Sequence, residues 1–219
     1  MLRIFNCLLF FFTIILITSC SHTYDQTFEF EPSSISPGDE ITIYYVTKNT
    51  PLADSDSLEL AAYFYNNELL ETTGFVMMKD DSGYYCKIKT NPDADGLIVK
   101  FNDLKSDKYD NNNNEGYLIP IKELRADAGY AVALSSWGYY LEMDNNREKA
   151  FDILDNILNR SPELLADFGD NYFNTVWRIK AGARDSIVSE KLAKLEELRN
   201  TDESSLKTLV NWYKNLEKS

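Results

Sequence analysis

The sequence predicts a two-part chain, all-β and then all-α: an antiparallel β-sandwich over residues 27–121, followed by helical hairpins over residues 122–219. Up to Ile121, short runs of alternating apolar and polar residues are bounded by Gly, Pro, Asn and Asp, which is the mark of half-buried strands. At Lys122 the apolar period lengthens from two to between three and four, which is the period of an amphipathic helix. With 219 residues, 44% of them hydrophobic, the chain has enough apolar side chain for a real core in each part.

Residues 1–19 have the layout of a secretory signal. Arg3 gives a basic start, and Cys7 to Ile17 form an apolar run broken only by Thr13. That run is too short to span a bilayer as a helix. Ile17-Thr18-Ser19-Cys20 resembles the lipobox of bacterial lipoproteins, in which the cysteine thiol is joined to diacylglycerol before cleavage. The resemblance implies that Cys20 is the lipidated first residue of the mature chain, with residues 20–26 as a polar tether. At least two acyl chains would hold it durably to the membrane, since one alone gives marginal anchoring. It also implies a bacterial envelope location, and Ser21 after the anchor suits an outer membrane, facing the periplasm.

The strands follow in order. Phe28 and Phe30 alternate with glutamates, and the turn Ser36-Pro37-Gly38-Asp39 precedes Ile41, Ile43 and Tyr45 on one face. Leu58, Leu60, Ala62 and Phe64 share the next, then Phe75 and Met77. Tyr84, Cys86 and Ile88 follow the turn Asp81-Ser82-Gly83; Leu97, Val99 and Phe101 follow the turn around Pro92 to Gly96. Tyr117, Ile119 and Ile121 close a series of seven. Short strands at this spacing suggest an immunoglobulin-like or fibronectin-like sandwich without a disulfide, because no cysteine pair is present and all three tryptophans lie further on. Cys86 falls on the inward set and is expected to be a small buried hydrophobe.

The stretch from Asp107 to Gly116 is rich in side-chain oxygens, of which Asp107, Asp110, Asn112 and Asn114 are candidate ligands for a hard cation such as calcium. The match to an EF-hand stops early: Glu115 stands where the turn glycine is required, and Ile121 occupies the last ligand position. Asparagine runs are also ordinary turn formers, so a plain inter-strand loop is the competing expectation.

In the helical part, Leu134-x-x-Trp137-Gly138-x-x-Leu141, then Ala150-x-x-x-Leu154, then Pro162, resembles the tetratricopeptide repeat. Gly138, Ala150 and Pro162 match outright. The small residues let two helices approach, and the proline ends the second. Asn145 with Glu148 predicts a capping box at that helix's start, and Ser161-Pro162 predicts the start of the next. A helix then fits Glu163 to Lys180, carrying Leu164, Phe168, Tyr172 and Trp177, with a break at Ala181-Gly182. Another runs from about Ser186 to Arg199, with Val188, Leu192, Leu195 and Leu198 inward. The last carries Leu206, Leu209, Val210, Tyr213 and Leu216. Repetition decays here, since one repeat length on, Tyr172 stands in the glycine place and Arg184 in the alanine place. The last helix is expected either to pack back as an improvised cap or to be followed by further chain.

Composition narrows the function. A formal net charge of −13 repels nucleic acid and anionic headgroups. His22 is the one histidine, which removes imidazole triads, Cys-His dyads and histidine-rich metal sites. No acidic pair stands apart from the general surface charge as a hydrolase would need. The chain is therefore expected to be no enzyme and to need no cofactor.

The order of lipobox, immunoglobulin-like sandwich and tetratricopeptide-like helices is similar to the N-terminal part of Gram-negative thioredoxin-like envelope lipoproteins. Ser36-Pro37-Gly38-Asp39 with Ile41 to Val46, and Asn114-Glu115-Gly116-Tyr117, carry the resemblance along with the helical pattern. No Cys-x-x-Cys occurs, so the thiol chemistry of that family does not carry over. The expected function is a non-catalytic module that binds or positions a protein partner, with Trp137, Tyr139, Tyr140 and Trp177 as candidate contacts. The alternatives are the anchoring portion of a thiol oxidoreductase whose catalytic domain is lacking, and a sandwich that binds glycan through Tyr63 and Tyr65, or calcium.

Overall fold

In the computed structural model the described residues are 26–66, 70–137, 146–198 and 203–217. Cys20 and its tether, Asn145, Tyr139 and Tyr140 lie outside them. Among the described residues, no helix is long and apolar enough to cross a membrane.

Among the described residues, nine strands form two antiparallel sheets. The first sheet contains β1 (Phe28–Glu31), β2 (Glu40–Tyr45), β6 (Tyr84–Lys89) and β5 (Met78–Lys79), in that spatial order. The second runs β4 (Leu70–Val76), β3 (Leu58–Tyr65), β7 (Gly96–Asp103) and β8 (Tyr109–Asp110), with β9 (Tyr117–Pro120) also paired to β7. Two of the nine, β5 and β8, are two-residue bridges too short to show an alternation, which is why the sequence predicts seven.

The inward sets meet in one core. Ile41, Ile43, Tyr45, Tyr84, Cys86 and Ile88 from the first sheet pack with Leu58, Leu60, Ala62, Leu97, Val99 and Phe101 from the second. Tyr45 stacks on Phe101 at 3.8 Å between ring centres. The period-two phases of these strands are as the sequence predicts, and Cys86 is buried.

The outward side of β3 and β7 is buried as well. Ala61, Tyr63, Tyr65 and Ile98 belong to a second core, which they share with the helices. Ala61, Tyr63, Tyr65 and Ile98 make part of the outward face apolar too, as in a sheet covered on each side, while Glu59, Lys100 and Asn102 are the polar members of that face. This corrects the expectation that Tyr63 and Tyr65 are exposed stacking platforms for sugars: they are 7% and 1% exposed.

Five α-helices follow among the described residues: α1 (Glu123–Val132, continued by a π-helical turn, Ala133–Trp137), α2 (Arg147–Arg160), α3 (Leu165–Ile179), α4 (Arg184–Glu197) and α5 (Glu203–Leu216). α1 lies against β7, β9 and α2; α2 packs on α3, and α3 packs on both α4 and α5. The cap of α2 sits at Asn146, whose side chain accepts from the Lys149 backbone N–H at 3.0 Å. Pro162 begins a short 3₁₀ turn ahead of α3, where its missing N–H costs nothing. Ala150, Leu154, Phe168, Phe173, Val188, Leu192, Leu209 and Trp212 fill the helical core.

Candidate functional site

The sheet meets the helices through Tyr65 and the turn into α1, and that joint builds the site. Tyr65, at the end of β3, lies flat against α1 and donates its hydroxyl to the Ala126 carbonyl at 2.7 Å. Only glycine fits beside it. A Cβ at Gly96 would stand 2.6 Å from the Tyr65 hydroxyl, and one at Gly129 would overlap the ring itself. Next to Gly96, the buried Asp95 accepts from Lys122 Nζ at 3.0 Å and Arg125 Nε at 3.1 Å. Its backbone carbonyl also accepts the N–H groups of Ile121 and Lys122, which turns the chain from β9 into α1. Arg125 reaches on to Asp167 of α3, with its guanidinium 5.4 Å from the Phe168 ring centre. The sheet, α1 and α3 are thus held by one charged chain.

Beside this joint, β9, α1 and α2 enclose a groove of about 460 Å³. Leu118, Leu124, Ile153 and Ile157 form an aliphatic floor. Asp127 and Tyr130 line it from α1; Asp152, Asn156 and Arg160, spaced by four along α2, line the other wall. Burial raises the Asp127 carboxyl above its ordinary value against the opposing pull of Arg160. Burial, with a contribution from Glu115, raises the Tyr130 phenol to about 12. Tyr130 donates to the Glu115 carbonyl at 3.1 Å, and Lys149 Nζ contacts Glu115 Oε1 at 2.6 Å, which ties the loop before β9 to α2.

That loop contains two of the four candidate cation ligands, Asn112 and Asn114, and Asp110 ends the strand β8 just before it. Asp110 is buried: its Oδ2 accepts the hydroxyls of Tyr45 at 2.6 Å and Tyr117 at 2.9 Å, and its Oδ1 accepts the Asn112 N–H at 3.0 Å. Asn112, Asn113 and Asn114 all take positive φ, of 54°, 55° and 69°, a region asparagine tolerates better than other side-chain-bearing residues. Asn112 donates to the Gly116 carbonyl, and Asn111 pairs with Asn114. Asp107 is exposed, before β8. Asn112 and Asn114 thus form a left-handed turn that Asp110 fastens to the aromatic core. Among the described residues, no group of three or more His, Cys, Asp and Glu is placed to hold a metal.

Of the candidate partner contacts, Tyr139 and Tyr140 lie outside the described residues. Trp137 ends the π-helical turn after α1. Trp177 is half-buried on α3, its ring 5.8 Å from that of Trp212 and capped by the Arg184 guanidinium at 4.1 Å, so it is a packing residue between α3, α4 and α5. Cys86 is the one free thiol among the described residues, and burial raises it to about 12, far from a reactive thiolate.

The sequence did not single out the groove residues. A trace was present in the rows Asp152-Asn156-Arg160 and Ile153-Ile157 along α2, and in Leu118, which is out of phase with Tyr117 and Ile119. What these rows face depends on how α1 and α2 meet β9, which no local pattern records. The arrangement supplies shape, apolar area and carboxylate charge, the means of a binding site. No family model, no curated protein and no solved structure matches this chain.

Proposed function

We propose that the chain is a lipid-anchored adaptor of the bacterial envelope, an immunoglobulin-like sandwich with tetratricopeptide-like helices that holds a protein partner without chemically changing it. The observation that carries this reading is the groove between β9, α1 and α2, built from both halves and floored by aliphatic side chains. The succession of helices, each against its sequence neighbour, supports the repeat-like part. The lipobox resemblance at Cys20 supports the anchor, and the similarity in segment order to thioredoxin-like lipoproteins supports the envelope setting. The burial of Cys86, the one thiol among the described residues, and the presence of a single histidine, His22, in the sequence support a non-catalytic role.

Two measurements test the proposal. A photo-crosslinking residue placed at Ile153 in the native host should capture a defined protein that the same residue at exposed Leu104 does not. Equal yields from both positions would refute groove docking. Fatty-acid labelling should be lost in Cys20→Ala; retained label would remove the anchor.

A further inference from the structure

We propose that the groove between β9, α1 and α2 takes a cationic amphipathic peptide segment, seating an aliphatic side chain on its floor and a lysine or arginine against Asp127 and Asp152. This rests on the docking reading above and specifies the chemistry of the partner. A cavity of about 460 Å³ is the size of one or two large side chains rather than of a whole domain. Its floor is aliphatic, so the anchoring group is apolar. Its two walls carry carboxylates from different helices, so a cation can be gripped from both sides.

Electrostatics choose the sign of the ligand. Asp127 is only partly compensated: the exposed Arg160 draws its proton affinity down, yet burial keeps it raised. An arriving ammonium or guanidinium would relieve that cost, whereas an acidic segment would add to it. The chain as a whole carries −13, which steers basic segments inward and repels acidic ones. The groove is also held open by fixed parts. Tyr130 is tied to Glu115, and the Asp95–Arg125–Asp167 chain locks α1 in place, so little ordering is needed on binding.

The test uses the full chain in nanodiscs of zwitterionic lipid and a fluorescent twelve-residue peptide of alternating leucine and lysine pairs. A glutamate-for-lysine version is the control. Saturable binding of the lysine peptide is expected, with none of the glutamate one. Asp127→Asn with Asp152→Asn should weaken it about tenfold or more, the worth of one charge-assisted contact. The charge-matched pair Asp54→Asn with Asp81→Asn, away from the groove, should change it less than about twofold. Equal losses in the two double variants would mean diffuse attraction to an acidic surface and overturn the proposal. So would binding of the glutamate peptide, or no saturable binding of either. If groove crosslinking at Ile153 succeeds while the lysine peptide fails, docking stands and the ligand chemistry proposed here falls.

Discussion

Tyr65 shows how much of this molecule depends on the space left by missing side chains. Its ring fills the gap that Gly96 and Gly129 leave, and its hydroxyl takes the Ala126 carbonyl. Tyr65→Phe keeps the ring and loses one buried hydrogen bond, which should cost about 1 kcal/mol in denaturant unfolding. Gly129→Ala forces the ring aside and should cost about 1–3 kcal/mol by overpacking. A second residue-scale case lies in the helices. Burial pushes the Asp155 carboxyl up, but the Tyr172 hydroxyl, Lys191 and Asn159 together hold it below its ordinary value. Lys191 is 3% exposed and 3.2 Å from Asp155. A depressed carboxylate stabilises the fold above its unfolded value, near about 3.9, and that contribution disappears as pH falls through the lower folded value. Unfolding midpoints should therefore drop below about pH 4, and Asp155→Asn should flatten that part of the profile. An unchanged slope in the variant would show that Asp155 is not its source.

At the scale of elements, α5 contrasts a buried face with an exposed apolar one. Leu209 and Trp212 are buried, and the Trp212 Nε1–H donates to Asp170 Oδ1 at 2.8 Å. Leu206, Val210 and Tyr213 remain exposed at 48%, 51% and 37%. Trp212→Ala should cost about 3–5 kcal/mol, while Leu206→Ser with Val210→Ser should stay within about 0.5 kcal/mol each, both read from thermal and denaturant unfolding. The sequence pattern grouped Leu206, Leu209, Val210, Tyr213 and Leu216 as one apolar set and passed over Trp212, because a wide stripe does not say which edge is covered. Strand phases were more legible, since Ile41 with Ile43 and Tyr84 with Cys86 and Ile88 can point only one way once a core lies beneath them. The reverse side of β3 was hidden for the same reason. Alternation assigns Tyr63 and Tyr65 to solvent, although the unbroken run Leu60 to Tyr65 is the pattern of a strand buried on both faces. The groove was hidden most deeply, since Leu118, Leu124 and Ile153 come together only through the joint.

For the whole molecule, the outward face of the second sheet is the floor of the helical core, so the boundary at residues 121 and 122 is a change of secondary structure and not a hinge. Asp95 alone bonds to β3, to the turn before α1 and to Arg125. One consequence follows for anyone who would dissect the chain. A piece ending at Ile121 would present Ala61, Tyr63, Tyr65 and Ile98 to water as a greasy panel beside Lys100, an invitation to self-association. Such a fragment should scatter light and lose a cooperative melt where the intact chain stays dispersed. The helices act as that panel's permanent lid, and whatever else they grip, they must first keep their own neighbour soluble.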